Sequence, residues 1–99
     1  MPTTVVSSQE WDPLPVVSAP LVQELGKWAV KEHDKKAKDN LKFKQVVSGE
    51  EMDNQQLGMK YHFVIDALDG NGKGRKYEAV LAEQVWLDRR ILISFNPAS

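Results

Sequence analysis

The stretch Asp69-Gly70-Asn71-Gly72-Lys73-Gly74 is the most suggestive of chemistry, because its oxygen donors resemble the start of a calcium-binding loop. Such a loop places oxygen ligands at its positions 1, 3 and 5 and a bidentate glutamate at its position 12. In this chain position 5 is Lys73 and position 12 is Val80. The lysine would repel a cation and the closing carboxylate is missing. We therefore expect a hairpin turn here, with the glycines supplying positive φ angles.

Two histidines and a run of carboxylates are the remaining candidates for metal binding or proton transfer. His33 and His62 fall in separate predicted elements, without a third nitrogen or sulfur donor to complete a site. Glu50, Glu51 and Asp53 fall in a predicted polar loop, whereas paired-carboxylate catalysis needs two groups in different environments around a pocket. We expect all five to be surface side chains, and we expect no metal and no cofactor.

The sequence lacks the usual nucleophile arrangements. It contains no cysteine, no glycine-flanked serine elbow and no phosphate-binding glycine loop. The absence of cysteine also excludes disulfides, so a noncovalent core must provide the stability. A small domain of this kind is expected to be a binding protein rather than an enzyme.

Length and composition predict one folded domain over residues 1–99, with 41% hydrophobic and 27% charged residues. The formal charge of -1 gives no overall field that would favour nucleic acid or an anionic membrane. We therefore expect neither of these partners, and we expect a monomer that recognises its partner by shape.

Residues 1–8 carry neither the positive charge nor the apolar run of a secretory signal, and no segment reaches the roughly 18 apolar residues that span a bilayer. We expect a soluble chain. Its compartment stays open between the cytoplasm and, if a leader is removed, secretion.

The first twenty residues hold four of the five prolines and predict an extended arm, flexible over residues 1–13. Its second half is apolar enough to dock as an edge strand, through Trp11, Leu14, Val16 and Val17. A helix follows, with Ser18 as its cap, Pro20 in its first turn and a charged end over residues 31–40. One face of this helix is formed by residues at helical spacing, and Val22 and Val30 widen it: Leu21, Leu25, Trp28, Ala29 and Glu32.

After residue 40 the apolar residues alternate with period two, which predicts strands over residues 41–47, 59–67, 75–82 and 90–95. We expect Leu41, Phe43 and Val47 to share one face of the first strand. In the last strand, Ile91, Ile93 and Phe95 should share a face, with Leu92 opposite. The breaks at residues 49–58, 69–74 and 85–89 are short, so neighbouring strands should be antiparallel. The predicted fold class is α+β, with one long helix across a four- to five-stranded antiparallel sheet.

In such a meander three segments should form a ridge at one end, namely residues near Pro13, the loop 52–58, and Val85-Trp86. An exposed tryptophan at a tight turn is typical of a wedge that enters another protein's cleft. The alternative is that Trp86 folds back onto the core.

The helix segment Leu25-Gly26-Lys27-Trp28-Ala29-Val30, together with Leu41-Lys42-Phe43, resembles the signature of the plant cystatins. The similarity extends from Trp11 to Phe95. It implies a cystatin-like fold, a long helix wrapped by an antiparallel sheet. It also implies reversible inhibition of papain-like cysteine proteinases by a wedge of the arm and two hairpin loops, and it adds a phloem-type fluid to the possible compartments.

The segment Gln45-Val46-Val47-Ser48-Gly49 spells the family's inhibitory Gln-x-Val-x-Gly motif. Alignment through Leu41-Lys42-Phe43 and residues 61–67 instead places this segment inside the strand before the loop. We therefore expect the inhibitory apex at Asn54-Gln55-Gln56-Leu57-Gly58, where only Gly58 of the motif remains.

The other two contacts implied by the resemblance are also altered. Val85-Trp86 aligns with the family's Pro-Trp hairpin but lacks the proline, and Gln9 and Glu10 replace a glycine pair ahead of Trp11. The implied proteinase-binding residues are Gln9, Glu10, Trp11, Asn54, Gln55, Gln56, Leu57, Gly58, Val85 and Trp86.

With these changes in the three contact segments, the sequence resembles an offshoot of the family, the squash aspartic proteinase inhibitors. A pepsin-like cleft binds extended peptide through many polar contacts, so glutamines suit it better than they suit the apolar groove of papain. We expect a pepsin-like aspartic proteinase as the target. The alternatives are a papain-like cysteine proteinase, or no proteinase at all, as in a storage or sweet-tasting relative.

Overall fold

The computed structural model describes residues 10–98, which form one helix packed across a five-stranded antiparallel sheet. The elements are β1 (Asp12–Pro13), α1 (Pro20–Ala37), β2 (Lys42–Asn54), β3 (Gly58–Leu68), β4 (Gly74–Gln84) and β5 (Arg89–Pro97). The strands lie in the sheet in chain order, and a 3₁₀ turn, Val85–Leu87, joins β4 to β5. This is the predicted α+β class, with the arm supplying the fifth strand. Within the described residues, no helix has the length and hydropathy needed to cross a membrane.

The helix starts one residue later than its predicted cap implies. Ala19 is the N-cap and no side chain caps the first turn, so the prediction that Ser18 caps α1 is wrong. Pro20 occupies the first turn, where its fixed φ is already helical and its missing N–H needs no partner. At the other end Lys38 is left-handed with φ 55°, and its N–H donates to the Asp34 carbonyl at 2.9 Å.

The helix buries a face centred on Leu25 and Ala29, neither of which has exposed surface. Val22, Gly26 and Val30 complete it. Leu21 was expected on this face but is 47% exposed, because it lies at the edge of the stripe. Gly26 permits the closest approach to the sheet, since a Cβ there would lie 2.3 Å from Cγ2 of Val46.

The two central strands supply most of the sheet side of the core, and both alternations are confirmed. The inward residues of β3 and β4 are buried: Tyr61, Phe63, Ile65, Ala67, Tyr77, Ala79 and Leu81. Leu14 and Val17 of the arm pack against the edge of this core.

In β2 the simple alternation fails. Register shifts between Phe43 and Gln45 and between Val46 and Ser48 interrupt the pairing with β3, so Val46 rather than Val47 is the buried residue. The polar loop predicted over residues 49–58 is also wrong. Strand β2 continues to Asn54 and only residues 55–57 form the turn.

A third register shift, beside Leu81, changes which side chains of β5 face the core. Leu81 pairs with Leu92 and Val80 with Ser94, which leaves Ile93 as the extra residue of a bulge and 45% exposed. Leu92 and Phe95 pack against the core instead. The prediction that Ile93 shares the inward face, with Leu92 opposite, is therefore wrong.

The glycine-rich stretch forms the predicted turn between β3 and β4. Asp69 does not face a cation site, because its carboxylate accepts hydrogen bonds from the backbone N–H groups of Asn71 and Lys73 and from Nε of Arg75. Gly72 has φ 79° and supplies the left-handed position of the turn.

Candidate functional site

Three segments meet at one end of the sheet, which we call the contact end. They are the arm at Glu10 and Trp11, the β2–β3 turn with its flanking residues 54–58, and the β4–β5 turn at residues 84–88. Gln84, only 8% exposed, joins the two turns by donating a hydrogen bond from Nε2 to the Gln56 carbonyl at 3.2 Å. The two hairpin turns of the predicted ridge are therefore joined, whereas Pro13 pairs with Glu50 on β2, short of the apex.

The first hairpin turn is held by side-chain hydrogen bonds to its backbone, and it presents polar side chains to solvent. Asn54 Oδ1 accepts hydrogen bonds from the backbone N–H groups of Gln56 at 2.9 Å and Leu57 at 2.8 Å. Gln55 and Gln56 are exposed and Leu57 is half-buried. Gly58 closes the turn with φ 87°, and a Cβ there would lie 2.3 Å from the Glu83 carbonyl oxygen. The glycine thus lets the first hairpin lie directly against β4.

The valines of the Gln-x-Val-x-Gly sequence lie far from this apex. Val46 is 2% exposed and pairs with Ile65 in the middle of the sheet. Its backbone N–H and carbonyl are both bound by the side chain of Gln23 from the helix, at 2.9 and 3.2 Å. The predicted position of the apex is therefore confirmed, while its contact with a proteinase stays a prediction.

The second hairpin presents an apolar tip. Val85, Trp86 and Leu87 are 72%, 61% and 56% exposed, so the alternative that Trp86 folds onto the core is wrong. Asp88 follows in the left-handed region with φ 48° and donates its N–H to the Val85 carbonyl at 3.1 Å. Aromatic and aliphatic side chains held clear of the core are typical anchors of protein interfaces.

Two residues of this site were missed from the sequence. Leu87 continues the apolar tip, which its position next to Val85-Trp86 could have indicated. Gln84 links the two turns by a hydrogen bond that depends on the strand register. A glutamine within a predicted strand gives no indication of such a bond, so the sequence could not have revealed it.

The arm reaches the contact end as a short edge strand. Asp12 pairs with Glu51 and Pro13 with Glu50, and the Leu14 N–H donates to the Gly49 carbonyl at 3.1 Å. Because β1 is antiparallel to β2, the chain ahead of Asp12 runs toward Asn54. Exposed Glu10 lies on this path, whereas Gln9 lies outside the described residues.

Trp11 is half-buried on the sheet face opposite the helix. Its ring centroid lies 6.0 Å from that of His62, and Nζ of Lys60 lies 5.6 Å from the ring, within cation–π range. These contacts hold the start of the arm against the sheet, so Trp11 is an anchor as well as a candidate contact residue.

His62 proves to be a bridging residue rather than a freely solvated one. Its Nδ1 lies 3.2 Å from Oε1 of Glu50 on β2, and its Nε2 lies 2.9 Å from Oε1 of Glu78 on β4. Burial lowers the pKa of His62, but the hydrogen bonds to the two carboxylates outweigh it, and the net pKa is raised. When it is protonated, the ring can donate to both carboxylates and so link β2, β3 and β4 beneath Trp11.

His33 also has a structural role. His33 lies 2.8 Å from Asp39 and stacks on Phe95 with ring centroids 4.2 Å apart. Within residues 10–98, no group of three or more histidine, aspartate or glutamate side chains is placed to hold a metal ion.

The second hairpin is tied to the helix by Arg90. Its guanidinium donates to Glu24 of α1 at 3.0 Å and to Glu83 of β4 at 3.4 Å. The hydrogen bond to Glu24 is the main reason why the pKa of Arg90 is raised. These hydrogen bonds therefore hold the start of β5, next to the apolar tip, against the helix and β4.

Carboxylates dominate the contact end together with the strand residues that lead into it. Among residues 10–98, the basic side chains in this region are Lys60, Arg89 and Arg90. The carboxylates are Glu10, Asp12, Glu50, Glu51, Asp53, Glu83 and Asp88. By formal charge, this end of the molecule is negative at neutral pH.

Comparison with solved structures supports the fold. The salivary cystatin of the soft tick Ornithodoros moubata superposes with a TM-score of 0.77, covering 92% of this chain and 98% of the tick protein. The two sequences are 13% identical, so this similarity concerns the fold alone.

Comparison with sequences identifies the family. The family model described as aspartic acid proteinase inhibitor matches residues 15–98. Cysteine proteinase inhibitor 8 of Oryza sativa subsp. japonica is 44% identical, and the match covers 90% of this chain and 71% of the rice protein. Cysteine proteinase inhibitor 5 of Arabidopsis thaliana is 38% identical, with the same coverage of both chains. Proteins of this kind are inhibitors and not enzymes. The chain thus belongs to the plant cystatin family of proteinase inhibitors, in the branch whose model is described as aspartic acid proteinase inhibitor.

Proposed function

We propose that this protein is a reversible inhibitor of pepsin-like aspartic proteinases, whose active-site cleft it blocks with its arm and two hairpin turns. The observation that carries the proposal is the polar apex of the first hairpin, where Asn54 holds the backbone and leaves Gln55 and Gln56 exposed. The description of the matching family model supports the same target class.

The polar apex bears on the choice of target because of desolvation. Placing an amide side chain in an apolar groove costs about 1–3 kcal/mol unless it finds a hydrogen-bond partner. A cleft that binds extended peptide through backbone hydrogen bonds offers such partners to Gln55 and Gln56. Next to this apex, Val85, Trp86 and Leu87 provide apolar surface for the rim of the same cleft.

The second candidate is inhibition of a papain-like cysteine proteinase, which the names of the rice and Arabidopsis relatives favour. It requires the apex to enter a narrow apolar groove with both glutamines uncompensated. Inhibition of papain at neutral pH, with pepsin left active in acid, would establish this candidate in place of the first.

The apex is tested by a double substitution, Gln55→Ala with Gln56→Ala. Both side chains are exposed, so unfolding should be unaffected, whereas pepsin inhibition should weaken at least tenfold, equivalent to about 1.4 kcal/mol. Gln45→Ala changes an exposed glutamine outside the contact end and serves as the control. An unchanged inhibition constant for the double variant would remove the first hairpin from the site.

A further inference from the structure

The end of the molecule opposite the contact end carries most of the basic side chains, and we call it the lysine pole. It is formed by the C-terminal end of α1, the start of β2 and the β3–β4 turn. These segments are in contact, since a Cβ at Gly70 would lie 3.1 Å from the Asp39 carbonyl and the Leu41 N–H donates to Asp34 Oδ2 at 2.9 Å. Eight of the thirteen Lys and Arg residues lie there: Lys35, Lys36, Lys38, Lys42, Lys44, Lys73, Arg75 and Lys76.

The carboxylates at the pole are already engaged within the protein. Asp66 binds Lys76 at 2.6 Å and Asp69 binds Arg75 at 2.8 Å. Asp39 faces His33 at 2.8 Å and Asp34 caps the Leu41 N–H.

Several lysines at the pole do not take part in these ion pairs. Among residues 10–98, five exposed lysines there make no ion pair with any carboxylate: Lys36, Lys38, Lys42, Lys44 and Lys73. The excess positive charge is therefore available to a partner.

A groove of about 490 Å³ crosses the sheet surface at the pole. Lys44 on β2 and Lys76 on β4 form its two sides, and Asp66 on β3 lies between them. Two strand spacings separate the sides, about 10 Å. Ala67, Leu68 and Gly74 also line the groove and carry no charge.

The chemistry of the groove narrows the class of partner. No aromatic side chain lines it, so nucleic-acid bases would have no stacking platform. Its Arg75 is held by Asp69 and its Lys76 by Asp66, so Lys44 is the unpaired cation of its lining. The other unpaired cations of the pole are also lysines, which act as separate point charges rather than as bidentate phosphate ligands. Separate ammonium groups spread over the pole suit carboxylates spaced along an extended polymer.

We propose that the lysine pole is a docking surface for a linear anionic polysaccharide that carries carboxylate groups. The negative contact end repels such a polymer and the pole attracts it, so the molecule binds in one orientation, with its hairpin turns pointing away from the polymer. The two ends can then be occupied at the same time. This proposal does not depend on which proteinase the contact end binds.

Polygalacturonate is the probe, with its fully methyl-esterified form as the uncharged match. Binding is measured by calorimetry at neutral pH and low salt, and again at 0.15 M ionic strength, where charges are screened over about 8 Å. We expect binding to polygalacturonate that weakens with salt, and none to the ester. Absence of binding at low salt, equal binding to the ester, or equally tight binding to oligo-dT would each overturn the proposal.

Two matched double variants test the location. Lys42→Gln with Lys44→Gln removes two exposed, unpaired charges from the pole, and Lys27→Gln with Lys31→Gln removes two exposed charges from α1 outside the pole. Thermal unfolding should be the same for both. Affinity for polygalacturonate should fall about tenfold for the first and less than twofold for the second, and equal losses would overturn the assignment to the pole.

Discussion

Substitution of Trp86 should affect binding without affecting folding, because the side chain is 61% exposed in the free protein. A tryptophan presents up to roughly 250 Å² of surface, so about 150 Å² is available for burial by a partner. At about 25 cal/mol per Å² this area corresponds to nearly 4 kcal/mol as an upper value. Measured anchors of protein interfaces begin at about 2 kcal/mol.

Trp86→Ala should therefore raise the inhibition constant for pepsin by roughly 30-fold to 900-fold, the equivalent of about 2–4 kcal/mol. The free energy of unfolding in urea should change by less than about 0.5 kcal/mol, because the side chain lies outside the core. Ile93→Ala is the control, since Ile93 is also exposed, at 45%, but lies along β5 away from the turn.

The assay is steady-state inhibition of pepsin at acid pH, with urea unfolding of each variant under the same buffer conditions. Unaltered inhibition by Trp86→Ala, or an equal loss in Ile93→Ala, would refute the assignment of the second hairpin to the interface.

Three further predictions concern the framework of the contact end. Gly58→Ala should lower the free energy of unfolding in urea by about 2–3 kcal/mol, because φ is 87° and the new Cβ would meet the Glu83 carbonyl. Gly72→Ala is the control, since Gly72 has φ 79° but lies in open space, and it should cost only about 1 kcal/mol. Equal losses in the two variants would contradict this prediction. Gln84→Ala should weaken pepsin inhibition about fivefold by releasing the first turn, with about 1 kcal/mol lost in unfolding, and full retention of both would count against a link between the turns. The raised pKa of His62 implies stability that is complete below about pH 6.5 and is lost as the pH rises through the folded-state pKa, so the melting temperature of the wild type relative to His62→Gln should fall over that interval; a difference independent of pH would show that the bridge carries no proton-linked stability.

The parts of the fold that were predicted correctly are those where one periodicity runs without interruption. Strand β3 alternates cleanly through Tyr61, Phe63 and Ile65, and its core face followed directly from that pattern. The helix was equally well marked by Pro20 and by the spacing of Leu25 and Ala29.

The errors lie where one extra residue changes which face a side chain occupies. The bulges beside Val46 and Ile93 leave no mark in the local sequence, because they depend on pairing with a distant strand. For the same reason the bridge at His62 and the link from Gln84 could not be predicted, since both join residues brought together only by strand register.

The contact end was predicted in outline because its residues fall in the breaks between strands. The apex at Gln55 and Gln56 and the tip at Trp86 both lie in turns that the sequence marks with changes of period. The class of proteinase was harder to predict, because it depends on a complementary surface that belongs to the enzyme.

The most direct test of the account is a parallel titration of the protein against pepsin in acid and papain at neutral pH. The account predicts stoichiometric, reversible loss of pepsin activity, with papain inhibited far more weakly. Strong inhibition of papain alone, or no inhibition of either enzyme, would contradict it.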